Sequence, residues 1–284
     1  MTDHAFQPVR PTTPFAGYVG GKRRLAGRVI ERLDQIPHDL YAEPFVGMGG
    51  VFLRRRQAPK VEVINDINRD VVTFFRVLQR HYVAFLEMLR FQLTSRAEFE
   101  RLAVTDPSTL TDLERAARFA YLQRTAWGGK VVGRTFGVDS RTAGAFNITR
   151  LAPLLEELHE RLAGVVIECL PWATFLGRYD RPGALFYLDP PYWGSEGYYG
   201  PVFDRADFER LAEALAQLRG RFLLSINDVP EVREIFARFA IEPVDTSYSL
   251  RGAGRKPLTA AELIVSGGWG AALGGPGAAA PARL

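Results

Sequence analysis

The sequence predicts an α/β fold, a sheet domain of parallel type interrupted by a mostly helical insert. Three observations carry this. Two strand–turn–helix units stand near the N-terminus, in YAEPFVGMGGVF and in KVEVINDIN with the helical stretch that follows. The alternation stops between about residues 78 and 150. It then resumes with further strands and helices, as a sheet domain requires if it is to complete its core.

In chain order, residues 23–36, RRLAGRVIERLDQI, place Leu25, Val29, Leu33 and Ile36 on one helical face. DLYAEPFVGMGGVF is an extended apolar run that breaks into glycines, and KVEVINDIN is a β-branched strand ending at Asp66. RDVVTFFRVLQRHYVAFLEML is expected to be a helix. Residues from about 78 to 150 are mostly helical and then rich in glycine and threonine, RTAWGGKVVGRTFGVDSRTAGAFN, with no buried parallel strand among them. The later elements are helix LAPLLEELHERL, strands GVVIECL and ALFYLD, helix RADFERLAEALAQLR, strand RFLLSIN and helix VPEVREIFARF. A terminal hairpin pairs IEPVDTSYSL with AELIVSG. The expected division is a first sheet part over residues 1–77, an insert over 78–150, a second sheet part over 151–266 and a tail over 267–284. The tail, GGWGAALGGPGAAAPARL from Gly267, can bury too little surface to hold an ordered structure.

Composition narrows the function classes. No run of 18 apolar residues is present, so no membrane span is expected, and the N-terminal MTDHAFQPVRPTTPF lacks the pattern of a signal peptide. One cysteine, Cys169, excludes an intrachain disulfide. Four scattered histidines show no metal-ligand spacing, so no metal site is expected and a reducing, cytoplasmic setting is. The net charge is +4, but residues 115–150 alone carry seven bases (Arg115, Arg118, Arg124, Lys130, Arg134, Arg141 and Arg150) against one acid, Asp139. That concentration suits a polyanionic partner, although a solvated basic surface would look the same in sequence.

The chemistry is carried by four short stretches. In EPFVGMGG (Glu43–Gly50) glycines follow a strand and let the backbone approach a ligand. The spacing is not G-x-G-x-x-G, which disfavours a dinucleotide. Asp66 ends the next strand, where an open α/β sheet binds ligands, and a carboxylate there suits the hydroxyls of a ribose. GYVGGKRRL (Gly17–Leu25) fails the phosphate-loop pattern because Arg23 stands where a serine or threonine is needed. Lys22 in it can still hold a small carboxylate. LFYLDPPYWG (Leu185–Gly194) ends a strand in Asp189 and follows it with Pro190 and Pro191, which fix two φ angles and remove two donors. This is a rigid turn, or a wall for a planar base carrying an exocyclic amine. In the second case Asp189 and the Pro190 carbonyl each accept one amine hydrogen and Tyr192 supplies a stacking face.

These stretches together resemble the Dam-type adenine-N6 DNA methyltransferases, through YVGGKRRL, EPFVGMGGVFL, NDIN, LFYLDPPY, LLSIND and the closing SYSLRGAGRKPLTAAELIV, over about residues 14–266. The resemblance implies the class I S-adenosylmethionine-dependent methyltransferase fold, a mixed seven-stranded sheet with a terminal hairpin and a target-recognition insert. It implies S-adenosylmethionine as cofactor, with Tyr18, Lys22, Phe45, Gly47, Asp66, Trp172 and Asp189 around it and Lys22 near the methionine carboxylate. Pro171 stands where the family has an acid before that aromatic. Asp189, Pro190, Pro191 and Tyr192 are implied to hold a flipped adenine of double-stranded DNA. In the insert, RTAWGGKVVGRT replaces an Asn-Gly-Leu-Tyr-Arg-like stretch, so the recognition sequence does not carry over, and the variant is similar to prophage-associated members. Arg124, Trp127, Lys130, Arg134 and Asn147 are the expected DNA contacts. Cytosine N4 or RNA adenine as the target, and an inactive DNA-binding relative, are the alternative readings. A restriction endonuclease partner stays open.

Overall fold

The computed structural model of the chain describes residues 6–18, 20–22, 24–137, 144–199, 202–248 and 258–268. Among these the strands are β1 (Gln7–Pro8), β2 (Leu40–Glu43), β3 (Gln57–Ala58), β4 (Val61–Asn65), β5 (Val166–Glu168), β6 (Ala184–Leu188), β7 (Arg221–Asn227), β8 (Ala240–Tyr248) and β9 (Leu258–Gly267). The α-helices are α1 (Ala26–Asp34), α2 (Arg69–Leu89), α3 (Arg96–Val104), α4 (Asp112–Thr125), α5 (Ile148–Arg161), α6 (Trp172–Tyr179), α7 (Arg205–Ala216) and α8 (Pro230–Ile235).

Seven strands form one mixed sheet in the order β5-β4-β2-β6-β7-β9-β8, while β1 and β3 make a separate antiparallel pair. The strands from β5 to β7 are parallel. β9 enters antiparallel between β7 and β8, as the expected closing hairpin. The chain leaves β2 toward β4 and β5, then crosses back to β6 and moves out to β7. Its direction of travel therefore reverses between β2 and β6, and loops diverge there at the carboxyl ends of the strands. Such a switch point is where open α/β sheets bind ligands.

Period-two alternation gives the sheet two apolar faces. Tyr41, Ile64, Leu185, Tyr187 and Leu223 face the core shared with α1, α2, α4 and α5. Ala42, Val63, Phe186, Leu188 and Leu224 face the other, with Phe175, Phe208 and Leu211 from α6 and α7. Removing a wholly buried ring such as Phe186 would cost about 3–5 kcal/mol by transfer and cavity formation. The Arg161 guanidinium takes both oxygens of buried Glu62, at 2.7 and 2.9 Å, and so ties α5 to β4.

The helix expected over RDVVTFFRVLQRHYVAFLEML is α2, residue for residue. It starts where the Asn68 side chain accepts from the Asp70 amide, and it kinks at His81. Residue 78, the expected start of the insert, lies inside α2. The segment beyond contributes α3 and α4, and α4 carries a capping box between Thr111 and Glu114. Buried Phe99, Phe119 and Tyr121 join this segment to the core that α2 faces. A tight turn over residues 125–137 closes through Gly137 N–H to Thr125 O and Trp127 N–H to Thr135 O, both 2.8 Å. Gly267 ends β9; residues 269–284 of the expected tail lie outside the described residues.

Candidate active site

The turn after β2 leaves the sheet through Pro44 and Phe45 and reverses at Gly47, whose φ of +50° favours glycine. A Cβ there would also stand 3.1 Å from the Tyr18 ring, so the aromatic lies directly on this turn. Asp66, one residue past β4, fixes the same turn. Its Oδ2 accepts from the Gly47 amide at 2.9 Å and its Oδ1 from the Asn68 amide at 2.8 Å. Burial pushes the Asp66 carboxyl up to about 6, and the two amides oppose that rise. Asn65 braces the neighbouring loops. Its Nδ2 donates to Pro44 O and Leu170 O at 2.9 and 3.0 Å, and its Oδ1 accepts from Leu170 N–H at 2.8 Å. Sequence reasoning missed this role, because a residue facing loops 21 positions before it and 105 after it leaves no local signal.

Across the switch point, β6 delivers Asp189 to the same space. Lys22, 4 % exposed, places its ammonium 2.6 Å from Asp189 Oδ1, 2.6 Å from the Tyr192 hydroxyl and 3.2 Å from Gly20 O. Each of its three protons thus has an acceptor on the protein. The ammonium also lies 4.2 Å from the centre of the Tyr192 ring. The Asp189 side chain, 21 % exposed, further accepts from Ser225 Oγ at 3.3 Å. Desolvation pushes its carboxyl up to about 6; Lys22 pulls against that, Glu262 adds to it and Ser225 opposes it. The Tyr192 hydroxyl donates to Glu262 on β9, and its ionisation is raised well above the usual range by burial and then by the charges of Asp189 and Glu262.

The turn after Asp189 is fixed from β7. Asn227 Oδ1 accepts from Trp193 N–H at 2.9 Å, and its Nδ2 donates to Trp193 O at 3.0 Å. With Pro190 and Pro191 buried, this leaves the segment little conformational freedom. Arg205 covers the Trp193 ring at 3.9 Å.

The Gly47 turn, Asp66, Lys22 and Asp189 border a cavity of about 1160 Å³, which Pro190 and Tyr192 do not line. Tyr18, Lys22, Phe45, Gly47, Asp66, Trp172, Asp189 and Pro191 line it, as does Arg124. Trp172 comes from the start of α6, behind Pro171 at the N-cap position. Phe203 packs edge-on to Phe45 at 6.0 Å. Glu43, at the end of β2, is a further lining residue that sequence reasoning gave no role. It is buried and accepts from the Tyr41 hydroxyl at 2.5 Å; desolvation pushes its carboxyl up to about 8.

The expected DNA contacts are distributed differently. Arg124 reaches the cavity, but its Nη1 donates to Phe15 O at 2.6 Å and its Nε to Ala145 O at 3.1 Å. Arg134 turns inward, donating to Lys130 O and to Gln123 Oε1 at 3.1 and 3.2 Å. Burial lowers the pKa of both guanidinium groups. Asn147 caps α5 through the Thr149 amide. In the turn, Trp127 is 63 % exposed and Val132 is exposed, while Lys130 is half-buried. Gln123 Nε2 bridges Gly17 O and Gly129 O, both at 2.8 Å, and so fastens this turn to the strand of chain that carries Tyr18 and Lys22. Gly129 is required there, since a Cβ would stand 2.7 Å from the Gly17 carbonyl carbon. Among the described residues no group of histidine, cysteine and carboxylate side chains could hold a metal ion, and no helix is long and apolar enough to cross a membrane.

A family model described as D12 class N6 adenine-specific DNA methyltransferase matches residues 18–250. The chain is similar to the type II methyltransferase M1.LlaDCHI of Lactococcus lactis subsp. cremoris, with 25% identity over 89% of this chain and 94% of that one. It is similar to a DNA adenine methylase of Salmonella typhi, with 27% identity over 95% and 98% of the two chains. Similarity to the DNA N-6-adenine-methyltransferase of Escherichia phage P1 is 28% identity over 71% of this chain and 28% of that one.

Proposed function

The chain belongs to the D12 class of N6 adenine-specific DNA methyltransferases, and from that premise we propose that it takes its methyl group from S-adenosylmethionine and presents the target amine to Asp189 and the Pro190 carbonyl. The reaction is methylation of adenine N6 in DNA. The observation that carries the reading of the site is the position of Asp189. It shares one cavity with the glycine turn and Asp66, across the switch point of the sheet.

The residues present fit the donor. Asp66 keeps lone pairs on both oxygens after accepting its two amides, enough for a pair of ribose hydroxyls. Trp172, Phe45 and Tyr18 offer apolar faces in the same cavity, and the bare Gly47 backbone permits close approach. Lys22 contributes positive charge to the wall where a carboxylate would lie, although its protons already have acceptors on Asp189, Tyr192 and Gly20. S-adenosylmethionine, when bound, supplies a methyl group made electrophilic by a sulfonium.

On the substrate side, extruding adenine from the duplex costs a few kcal/mol, and stacking on Tyr192 returns about 1–3 kcal/mol. Asp189 and the Pro190 carbonyl accept the two amine hydrogens and direct the nitrogen lone pair away from the ring plane. With the donor bound, its methyl group would pass to that lone pair and the departing sulfur would keep the bonding pair. The extra proton on N6 becomes acidic only then, so no base is needed beforehand. Lys130 and Trp127, in the turn beyond α4, are the proposed DNA contacts of the insert, with Arg124 at the cavity wall. The proposed place of action is the cytoplasm.

The test is transfer of labelled methyl from S-adenosylmethionine to duplex DNA, with the product digested to nucleosides. Label in N6-methyladenine supports the reading. Label in N4-methylcytosine, transfer only to RNA, or no transfer would refute it.

A further inference from the structure

Glu262 lies on β9, seventy residues from Tyr192, and belongs to none of the groups assigned so far to donor or target. It is 3 % exposed, and it accepts a hydrogen bond from the Tyr192 hydroxyl. The direction of that bond is dictated by its neighbour. An ammonium can only donate, so the Tyr192 oxygen accepts from Lys22 at 2.6 Å and must send its own single proton elsewhere. The acceptor is Glu262. The same ammonium gives a second proton to Asp189 Oδ1 at 2.6 Å. A one-way chain therefore runs from Lys22 through Tyr192 to Glu262, with a branch to the carboxylate that meets the target amine.

Building on the reading of Asp189 above, we propose that Glu262 is a positioning residue for methyl transfer. By accepting the hydrogen bond of the Tyr192 hydroxyl it keeps the tyrosine oxygen's lone pair turned toward Lys22. Lys22 is thereby held against one oxygen of Asp189, and the other oxygen is left for the target amine. The ammonium is thus held directly by Asp189 and, on its other side, by the Tyr192 hydroxyl that Glu262 orients. Without the Glu262 charge the tyrosine proton is held by a weaker, uncharged acceptor, and the carboxylate that must orient a lone pair is held less firmly.

The groups facing Asp189 from each packed element make a second consequence measurable. They are Lys22 ahead of α1, Glu43 at the end of β2, Tyr187 on β6, Tyr192 in the turn beyond it, Ser225 on β7 and Glu262 on β9. Glu262 is the acidic side chain among them that the Tyr192 bond ties into the chain. Its negative charge raises the pH at which Asp189 ionises. Replacing it with a neutral amide moves that ionisation to lower pH.

Single-turnover methyl transfer to an adenine-containing duplex is measured between pH 5 and 9 for the unaltered protein, Glu262→Gln, Tyr192→Phe and the double variant. Donor affinity by calorimetry and thermal melting accompany each. Each single change lowers the maximal rate about tenfold, the scale of one hydrogen bond to a charged group. The double variant is no slower than Tyr192→Phe, because Glu262→Gln only weakens, by removing the charge, the bond that Tyr192→Phe removes. The acid limb of the Glu262→Gln profile lies at lower pH than that of the unaltered protein. Losses that multiply in the double variant, an unmoved acid limb in a folded donor-binding Glu262→Gln protein, or an undiminished rate would overturn the proposal. Should Glu262→Gln not fold, Tyr192→Phe decides alone, since it keeps the ring and removes the hydroxyl; a full rate there overturns the proposal too. An unaltered protein that methylates no adenine would refute the assigned reaction, which these variant outcomes leave standing.

Discussion

Replacing Glu43 with glutamine should stabilise the protein, and by more as the pH rises. The side chain is buried beside the cavity with the Tyr41 hydroxyl on one oxygen, and desolvation raises its carboxyl to about 8 from an ordinary 4.5. At pH 7 the folded protein therefore keeps a proton that the unfolded chain has released. Retaining it costs about 3 kcal/mol, from about 1.4 kcal/mol per tenfold difference in proton affinity. The sign follows from the direction of the shift. A carboxyl raised on folding contributes fully below its unfolded value, and that contribution is lost as the pH climbs through its folded value. Glutamine does not titrate, can accept from Tyr41 and has nearly the same shape. Thermal melting across pH 5 to 9 checks this. The Tm of the unaltered protein should fall between pH 5 and 8 more steeply than that of Glu43→Gln, with a gap at pH 7 of about 6–12 °C for a chain of this size. Parallel curves would refute the reasoning, for they would mean that Glu43 is as ionised when folded as when unfolded.

Two further outcomes are expected. Asp66→Ala removes the acceptor of the Gly47 and Asn68 amides as well as the proposed ligand of the donor. Affinity for S-adenosylmethionine should fall about tenfold or more by calorimetry, and an unchanged affinity in a folded variant would remove Asp66 from the site. In the insert the three expected bases should separate. Lys130→Ala should weaken DNA binding and flatten its salt dependence with little change in Tm. Arg124→Ala and Arg134→Ala should each lower Tm, because their guanidinium groups hold Phe15, Ala145, Lys130 and Gln123. Equal Tm values for all three variants would show those internal bonds to be inconsequential.

The pattern of legibility follows the range of the interactions. Local periodicity is enough for α2, since Val71, Phe74, Phe75 and Leu78 repeat on one helical stripe and Asn68 marks its start. The strands leading to Glu43, Asp66 and Asp189 read as apolar runs broken by glycine, acid or proline, and these breaks are what the sheet brings to one cavity. Contacts between distant segments leave no such trace. Asn65 and Asn227 look like ordinary strand ends until their partners at Pro44, Leu170 and Trp193 are seen. Charge counting found the basic segment, but a count cannot tell that Arg134 faces Gln123 while Trp127 faces outward. Glu43 was visible inside EPFVGMGG, yet burial alone distinguishes a floor residue from a solvated acid.

The most direct test of the assigned chemistry is single-turnover methyl transfer by Asp189→Ala on a duplex with one target adenine, with DNA affinity measured in parallel. In the proposed mechanism the carboxylate acts on the amine and not on phosphate. Transfer to N6 should therefore be lost while DNA binding is retained, and Asp189→Asn, which keeps one acceptor oxygen, should leave only a trace. Near-normal transfer by folded Asp189→Ala would contradict the mechanism.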